Sequence, residues 1–169
     1  MNVLIAHASK YGSTAEVAES IAAALRGRCV HADVLPAGEV TSLDGYDGVM
    51  LGGGIYMGRW HRGARRFARD FDLELGGMPV AVFALGPVDE VPEHRASSRR
   101  QFDHAVARLG FRPFATALFG GAVDPRKLGF PFNRMPACDA RDWETIRAWA
   151  IDVADGFLSA PIGAPRAAA

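Results

Sequence analysis

Three aliphatic hydroxyls and a glycine crowd one turn of this chain, His7-Ala8-Ser9-Lys10-Tyr11-Gly12-Ser13-Thr14, which joins the apolar run Val3-Leu4-Ile5-Ala6 to a helical pattern starting near Ala15. A helix N-terminus presents free backbone N–H groups and the positive end of the helix dipole, so a turn of this composition suits an anion, above all a phosphate. Ser9, Ser13 and Thr14 would donate hydroxyls and Gly12 would let the backbone approach closely. No GxxxxGK[ST] sequence is present and no GxGxxG follows the first strand, which argues against a nucleoside triphosphate or a dinucleotide and favours a single phosphate monoester. Ser13 alone is equally well explained as a helix cap that needs no ligand.

A second stretch, Gly52-Gly53-Gly54-Ile55-Tyr56-Met57-Gly58-Arg59-Trp60-His61, sets four glycines around Tyr56, Met57 and Trp60. Glycine allows backbone to lie against a flat ring, and Tyr56 and Trp60 could stack on that ring. The plainer alternative is a tight strand-to-helix connection whose aromatics seal the sheet edge. A third stretch, Ala84-Leu85-Gly86-Pro87-Val88-Asp89-Glu90-Val91-Pro92-Glu93-His94, could offer the backbone of Leu85, Gly86 and Pro87 to the polar edge of such a ring. Its prolines and glycine are equally expected of any surface connection.

Beyond these loops, Arg59, Arg62, Arg65, Arg66 and Arg69 make one segment locally basic. Such a run is either a solvated helix face or a surface for an acidic partner, an anionic lipid headgroup or a carboxylate-bearing substrate. His7 and His61 flank the loops and could titrate near neutral pH. No nucleophile or paired carboxylate accompanies them, so structural or ring-edge roles are expected; no catalytic side chain is assigned. Cys29 and Cys138 stand far apart, in no metal-ligand spacing, and suit a reducing cytoplasm.

The elements that must position these loops are legible as apolar runs alternating with helical periodicity. Strands are expected near 2–7, 29–35, 46–52, 78–86 and 113–120, each nearly unbroken in hydrophobicity, as in strands buried on both faces. Helices are expected near 13–26, 61–71, 95–109 and 140–158, the last with Asp139 as N-cap. Five parallel strands in this alternation form a doubly wound α/β sheet in order 2-1-3-4-5, with the ligand beyond the strand C-termini where the winding reverses. The loops 8–14, 52–61 and 86–94 all leave those ends.

With 169 residues, 49% hydrophobic and 22% charged, the chain is read as one domain over 1–159 with a flexible tail over 160–169. Nineteen Lys plus Arg balance nineteen Asp plus Glu, so no global charge favours nucleic acid. No basic stretch precedes the short N-terminal apolar run and no run approaches about 18 apolar residues, so neither a signal peptide nor a spanning helix is expected.

On the turn Ser9-Lys10-Tyr11-Gly12-Ser13-Thr14 and the two loops that follow it, nearly the whole chain resembles the flavodoxin family. Three stretches sharpen the likeness: Gly53-Gly54-Ile55-Tyr56-Met57-Gly58-Arg59-Trp60-His61, Ala117-Leu118-Phe119-Gly120-Gly121-Ala122-Val123 and Asp142-Trp143-Glu144. They resemble the flavodoxin-domain proteins grouped with menaquinone-dependent protoporphyrinogen oxidase. The resemblance implies a flavodoxin-like three-layer sandwich with flavin mononucleotide (FMN) as cofactor and no metal. It implies a phosphate held by Ser9, Lys10, Tyr11, Gly12, Ser13 and Thr14, and a ring held by Gly53, Gly54, Ile55, Tyr56, Trp60, Leu85, Gly86 and Pro87. The activity it implies is an FMN-dependent oxidoreductase passing electrons to a quinone or another redox partner, from the cytoplasm or peripherally at the inner membrane face. A flavodoxin-type electron carrier without its own substrate is the alternative, and a homodimer stays open.

Three departures accompany the likeness. Tyr11 stands where flavodoxins commonly place a threonine. The chain is neutral where electron-carrier flavodoxins are strongly acidic. The stretch 124–136 carries three basic and two aromatic side chains in place of a longer apolar and basic insertion. Response-regulator receiver domains share the strand order but need acidic residues where this chain has His7-Ala8-Ser9 and Gly52-Gly53-Gly54, which disfavours phosphoryl transfer.

Overall fold

The computed structural model describes residues 1–159, except 57, 90, 128, 129, 131 and 135 and the side chain of Phe132. The expected flexible tail and Met57 therefore lie outside the described residues. Five parallel strands, β1 (Asn2–Ala8), β2 (His31–Pro36), β3 (Gly48–Tyr56), β5 (Val80–Leu85) and β6 (Ala115–Phe119), run side by side in the order β2-β1-β3-β5-β6. This is the expected 2-1-3-4-5 winding. One addition is the two-residue β4 (Arg59–Trp60), which turns back antiparallel on the end of β3, pairing Ile55 with Trp60 and Tyr56 with Arg59. A second addition is a separate hairpin of β7 (Ala122–Val123) and β8 (Cys138–Asp139).

Alternation along each strand divides the core into two layers. Val3, Ile5, Met50 and Phe83 point to one face and meet Val17, Ile21 and Leu25 of α1 (Ser13–Arg26) and Ile146, Val153 and Phe157 of α5 (Trp143–Ser159). Leu4, Leu51, Val82 and Ala84 point to the other and meet Phe67 of α2 (Arg62–Asp70) and Phe102 of α4 (Pro92–Val106). A short α3 (Asp72–Gly76) continues α2 after a break at Phe71.

The largest correction to the sequence reading is β3. Expected near 46–52, it runs over Gly48–Tyr56 and continues through Gly53, Gly54, Ile55 and Tyr56, although glycine is a poor strand former. Pairing with neighbours on both sides overrides the propensity: Gly53 registers with Ala8 of β1 and with Ala84 of β5. The glycines are there because rings lie on the strand. A Cβ at Gly52 would collide with the Cζ end of the Phe83 ring, and one at Gly53 would come within 2.9 Å of the Trp60 indole nitrogen. Two helix starts also shift. Pro92 begins α4 three residues early, as proline at a first helical position does. Helix α5 is capped by Asp142, not Asp139: the Asp142 carboxylate accepts from the backbone N–H of Glu144 and Thr145 at 3.0 and 3.1 Å.

Phe83 is fully buried and held by Phe119 and Trp149 at centroid distances of 6.4 and 6.2 Å, so it has nowhere to move. Gly52→Ala is therefore expected to destabilise the fold by about 1–3 kcal/mol through overpacking, read as a lower denaturation midpoint at unchanged slope; an unchanged midpoint would show that the ring is not wedged.

Candidate functional site

The connections leaving the C-terminal ends of β1, β3 and β5 converge because those strands are neighbours. The first is the anion turn. Gly12 has φ of 93°, a left-handed conformation that lets β1 swing directly into α1. Ser9 Oγ sits inside the turn and accepts the backbone N–H of Gly12 at 2.9 Å and of Thr14 at 3.3 Å. Gly12 holds the N-cap position and Ser13 is the first residue of α1, so the capping alternative for Ser13 is not what the chain does; the first-turn N–H of Thr14 goes to Ser9 instead. Thr14 is buried at 1% exposure, whereas Ser9, Tyr11, Gly12 and Ser13 stay partly open. Lys10 is exposed with its ammonium 4.9 Å over the Tyr11 ring.

Tyr11 belongs to a wall as much as to the turn. Its ring meets Tyr56 edge-on at 6.4 Å, and Tyr56 meets His61 at 6.3 Å, so three rings from two connections line one side of the site. Tyr56 is 38% exposed at the end of β3. Burial, then the neighbouring Tyr11, push its phenol above the usual tyrosine range, which keeps the ring uncharged. His61 caps α2, its Nδ1 accepting the Gly63 N–H at 3.0 Å, and burial followed by Arg65 and Lys10 lowers its pKa.

Trp60 departs from its expected place. It is 2% exposed, its indole N–H donates to the Gly53 carbonyl at 3.1 Å, and it packs against Phe102 at 6.2 Å. A side chain so enclosed offers no face to a ligand; it anchors β4 beneath α4. The third connection is also more structural than expected. Leu85 is buried at 3% exposure, Gly86 N–H donates to the Phe119 carbonyl at 2.8 Å, and the Pro87 carbonyl accepts the Gly121 N–H at 2.8 Å. Gly54 and Ile55 sit in β3 behind Tyr56.

One constellation left no mark in the sequence. Arg141, whose side chain is 8% exposed, donates to Asp139 at 2.6 Å and to Glu16 in the first turn of α1 at 2.7 Å, with its guanidinium 4.6 Å over Trp143. Hydrogen bonding to Asp139, then to Glu16, holds the guanidinium protonated well above the usual range. Lys127 approaches Glu16 at 3.6 Å, and its ammonium lies 3.4 Å from where a Cβ on Gly12 would be. Two cations thus offset the one carboxylate at the helix end that would repel a bound anion. Residues 125 apart in the chain create no periodicity, so only the fold brings them together.

A doubly wound parallel sheet with a left-handed glycine turn at the first helix and an aromatic wall at the winding reversal is a flavodoxin-like scaffold. A family model described as the flavodoxin domain matches residues 4–135, and the chain belongs to that family. It is 26% identical over 126 residues to protoporphyrinogen IX dehydrogenase [quinone] of Escherichia coli strain K12, covering 73% of this chain and 70% of that one. Among solved structures it is similar to a single-cysteine mutant of a flavodoxin from Pseudomonas aeruginosa, with TM-score 0.62 and 20% identity over 94% of this chain and 100% of the other. A short-chain flavodoxin associated with a bacterial microcompartment gives TM-score 0.63 and 16% identity over 94% and 97%. Family membership brings FMN as the cofactor. No helix among the described residues is long and apolar enough to cross a membrane.

His7, at the end of β1, is the buried polar group without a partner among the described residues: its Nδ1 makes no hydrogen bond. Burial lowers its pKa from 6.5, with Glu19 and Glu39 opposing. A lowered folded pKa means that the unfolded chain takes up the proton first, so stability is fully present above 6.5 and falls as the pH drops through the window below it. Denaturant midpoints are expected to decline from about pH 7.5 to pH 5, with a shallower decline in His7→Gln; a rise on acidification would contradict the assignment.

Proposed function

We propose that the protein is an FMN-dependent oxidoreductase that takes electrons from a reduced organic substrate and delivers them to a quinone-type acceptor. The observation that carries this reading is the glycine turn opening beside the aromatic wall of Tyr11, Tyr56 and His61. Support for the enzyme over the simple carrier comes from the likeness to a quinone-dependent dehydrogenase and from a neutral chain with an arginine-rich α2.

In this reading the α1 N-terminus, Gly12, Ser13 and the Ser9 hydroxyl hold the phosphate, with Lys10 adding positive charge and Thr14 packing beneath the turn. Gly53, Gly54 and Ile55 carry Tyr56 to the ring. Bound FMN supplies the redox chemistry, taking up two electrons and a proton and releasing them in turn. The protein's own groups would bind, orient and exclude water: Tyr56 and Tyr11 would shield the ring, and the Leu85-Gly86-Pro87 connection would face its polar edge. Trp60 serves through the fold, not through contact. A cytoplasmic protein meeting its quinone at the inner membrane face suits both the acceptor and the basic α2.

The purified protein is expected to be yellow, or to become so on adding FMN, and to oxidise protoporphyrinogen IX with a menaquinone analogue as acceptor. A colourless preparation that takes up no FMN would overturn the reading, and rapid one-electron exchange with a reductase without substrate turnover would replace it with the carrier. Ser9→Ala removes the acceptor that ties the Gly12 and Thr14 N–H groups together, and is expected to weaken FMN binding by about 1–3 kcal/mol. Riboflavin, which has no phosphate, should bind the variant as it binds the parent; equal losses for both would place the phosphate elsewhere.

A further inference from the structure

A second concavity lies outside the FMN site, between α2 and α4, and shares the β3–β4 turn with it. It encloses about 760 Å³ and begins at Gly58 and Arg59. That volume falls in the range of sites for single small organic molecules. Its walls are unusual for a surface groove in their charge. Arg59, Arg65, Arg69, His104 and Arg108 line it against one carboxylate, Asp72. Arg69 is engaged by Asp70 at 2.8 Å. Arg59, Arg65 and Arg108 form no ion pair among the described residues. Arg65 is nonetheless oriented, because its Nε donates to the Trp60 carbonyl at 3.1 Å. The floor is apolar, built by Ala68, Ala105 and Leu109, with Trp60 behind them.

An apolar floor under cations without partners recognises an apolar molecule that carries carboxylates. The two reactants of the proposed reaction differ in this respect. A quinone has no anionic group, whereas a tetrapyrrole such as protoporphyrinogen IX is an apolar macrocycle bearing two propionate side chains. We infer that the α2–α4 cleft is the docking site of the carboxylate-bearing electron donor, with Arg59, Arg65 and Arg108 as its carboxylate contacts. This inference rests on the FMN oxidoreductase reading and assigns its donor side. An acidic redox protein would be drawn by the same charges, but a flat docking surface is the better match for a protein and a concave, apolar-floored one for a small molecule. The cleft borders the aromatic wall: Gly58 follows the end of β3, and Arg59, in β4, pairs with Tyr56.

The test uses the FMN-loaded protein and mesoporphyrin IX, a stable porphyrin with two free propionates, alongside its dimethyl ester, which keeps the macrocycle and loses both charges. Binding is read by quenching of porphyrin fluorescence. The diacid is expected to bind at least about tenfold more tightly than the ester, and the double variant Arg59→Gln/Arg108→Gln to lose about tenfold in diacid affinity while retaining FMN and its ester affinity. Arg147→Gln, an exposed arginine on α5 across the sheet, should bind the diacid as the parent does. Equal binding of diacid and ester by the parent overturns the inference without any variant. So does an unchanged diacid affinity in the double variant, including the case where that variant loses reduction by an acidic redox protein, which would make the cleft a protein-docking surface. Failure of the two readings is distinguishable: diacid binding that depends on the arginines, without protoporphyrinogen turnover, keeps the cleft and removes the oxidase; turnover with an unaltered KM in the double variant keeps the oxidase and removes the cleft.

Discussion

The close passage of β3 beneath three aromatic rings is the constraint on which the rest of this structure depends. Gly52 lies under Phe83, Gly53 under Trp60 and Gly54 under Tyr56, and a Cβ at any of the three would press on the ring above it. Phe83 belongs to the α1–α5 layer of the core and Trp60 to the α2–α4 layer, so the same three residues tie both layers to the central strand. Because the strand continues past Gly52, it delivers Tyr56 beyond the sheet edge, where its ring can face a ligand. Trp60 folds back into the core on β4, which pairs with Ile55 and Tyr56 at the end of the same strand.

Electrostatics at the α1 N-terminus follow a second, independent logic. A helix N-terminus favours negative charge, and that of α1 already carries Glu16. Arg141 and Lys127 meet that carboxylate from the β7–β8 hairpin and its flanking segments. The Arg141 contact is nearly enclosed, with the guanidinium stacked on Trp143, so it also fastens the hairpin and the start of α5 to the anion turn. Surface ion pairs contribute little to stability as a rule. Here the pairing serves placement: it brings the phosphate turn, the hairpin and the last helix into one corner.

The chain keeps its charges local instead of global. A net charge of zero hides a basic cleft on the α2–α4 side and a cation pair at the phosphate turn. The two basic regions lie on opposite faces of the sheet, one with each core layer, and the wall of Tyr11, Tyr56 and His61 lies at the strand ends between them. A protein arranged in this way can hold an anionic cofactor from one side and an anionic donor from the other without the long-range repulsion that a uniformly acidic surface would impose.

What the sequence determined alone was whatever rests on local pattern. The order of the five parallel strands and four main helices, the parallel winding and the glycine turn at 9–14 follow from runs of apolar residues, helical spacing and a hydroxyl-glycine cluster, each confined to a few adjacent residues. What only the tertiary structure decided rests on partners distant in the chain. Strand β3 runs to Tyr56 because β1 and β5 flank its glycines, against their own propensity. Trp60 leaves the ligand site for the core because Phe102, far along the chain on α4, gives its ring a packing partner. Asp142 takes the cap of α5 because Asp139 is claimed by the pairing of β8 with β7 and by Arg141. A side chain that could serve at the surface or in the core is assigned by the contacts the fold supplies, and those contacts leave no periodic trace in the sequence.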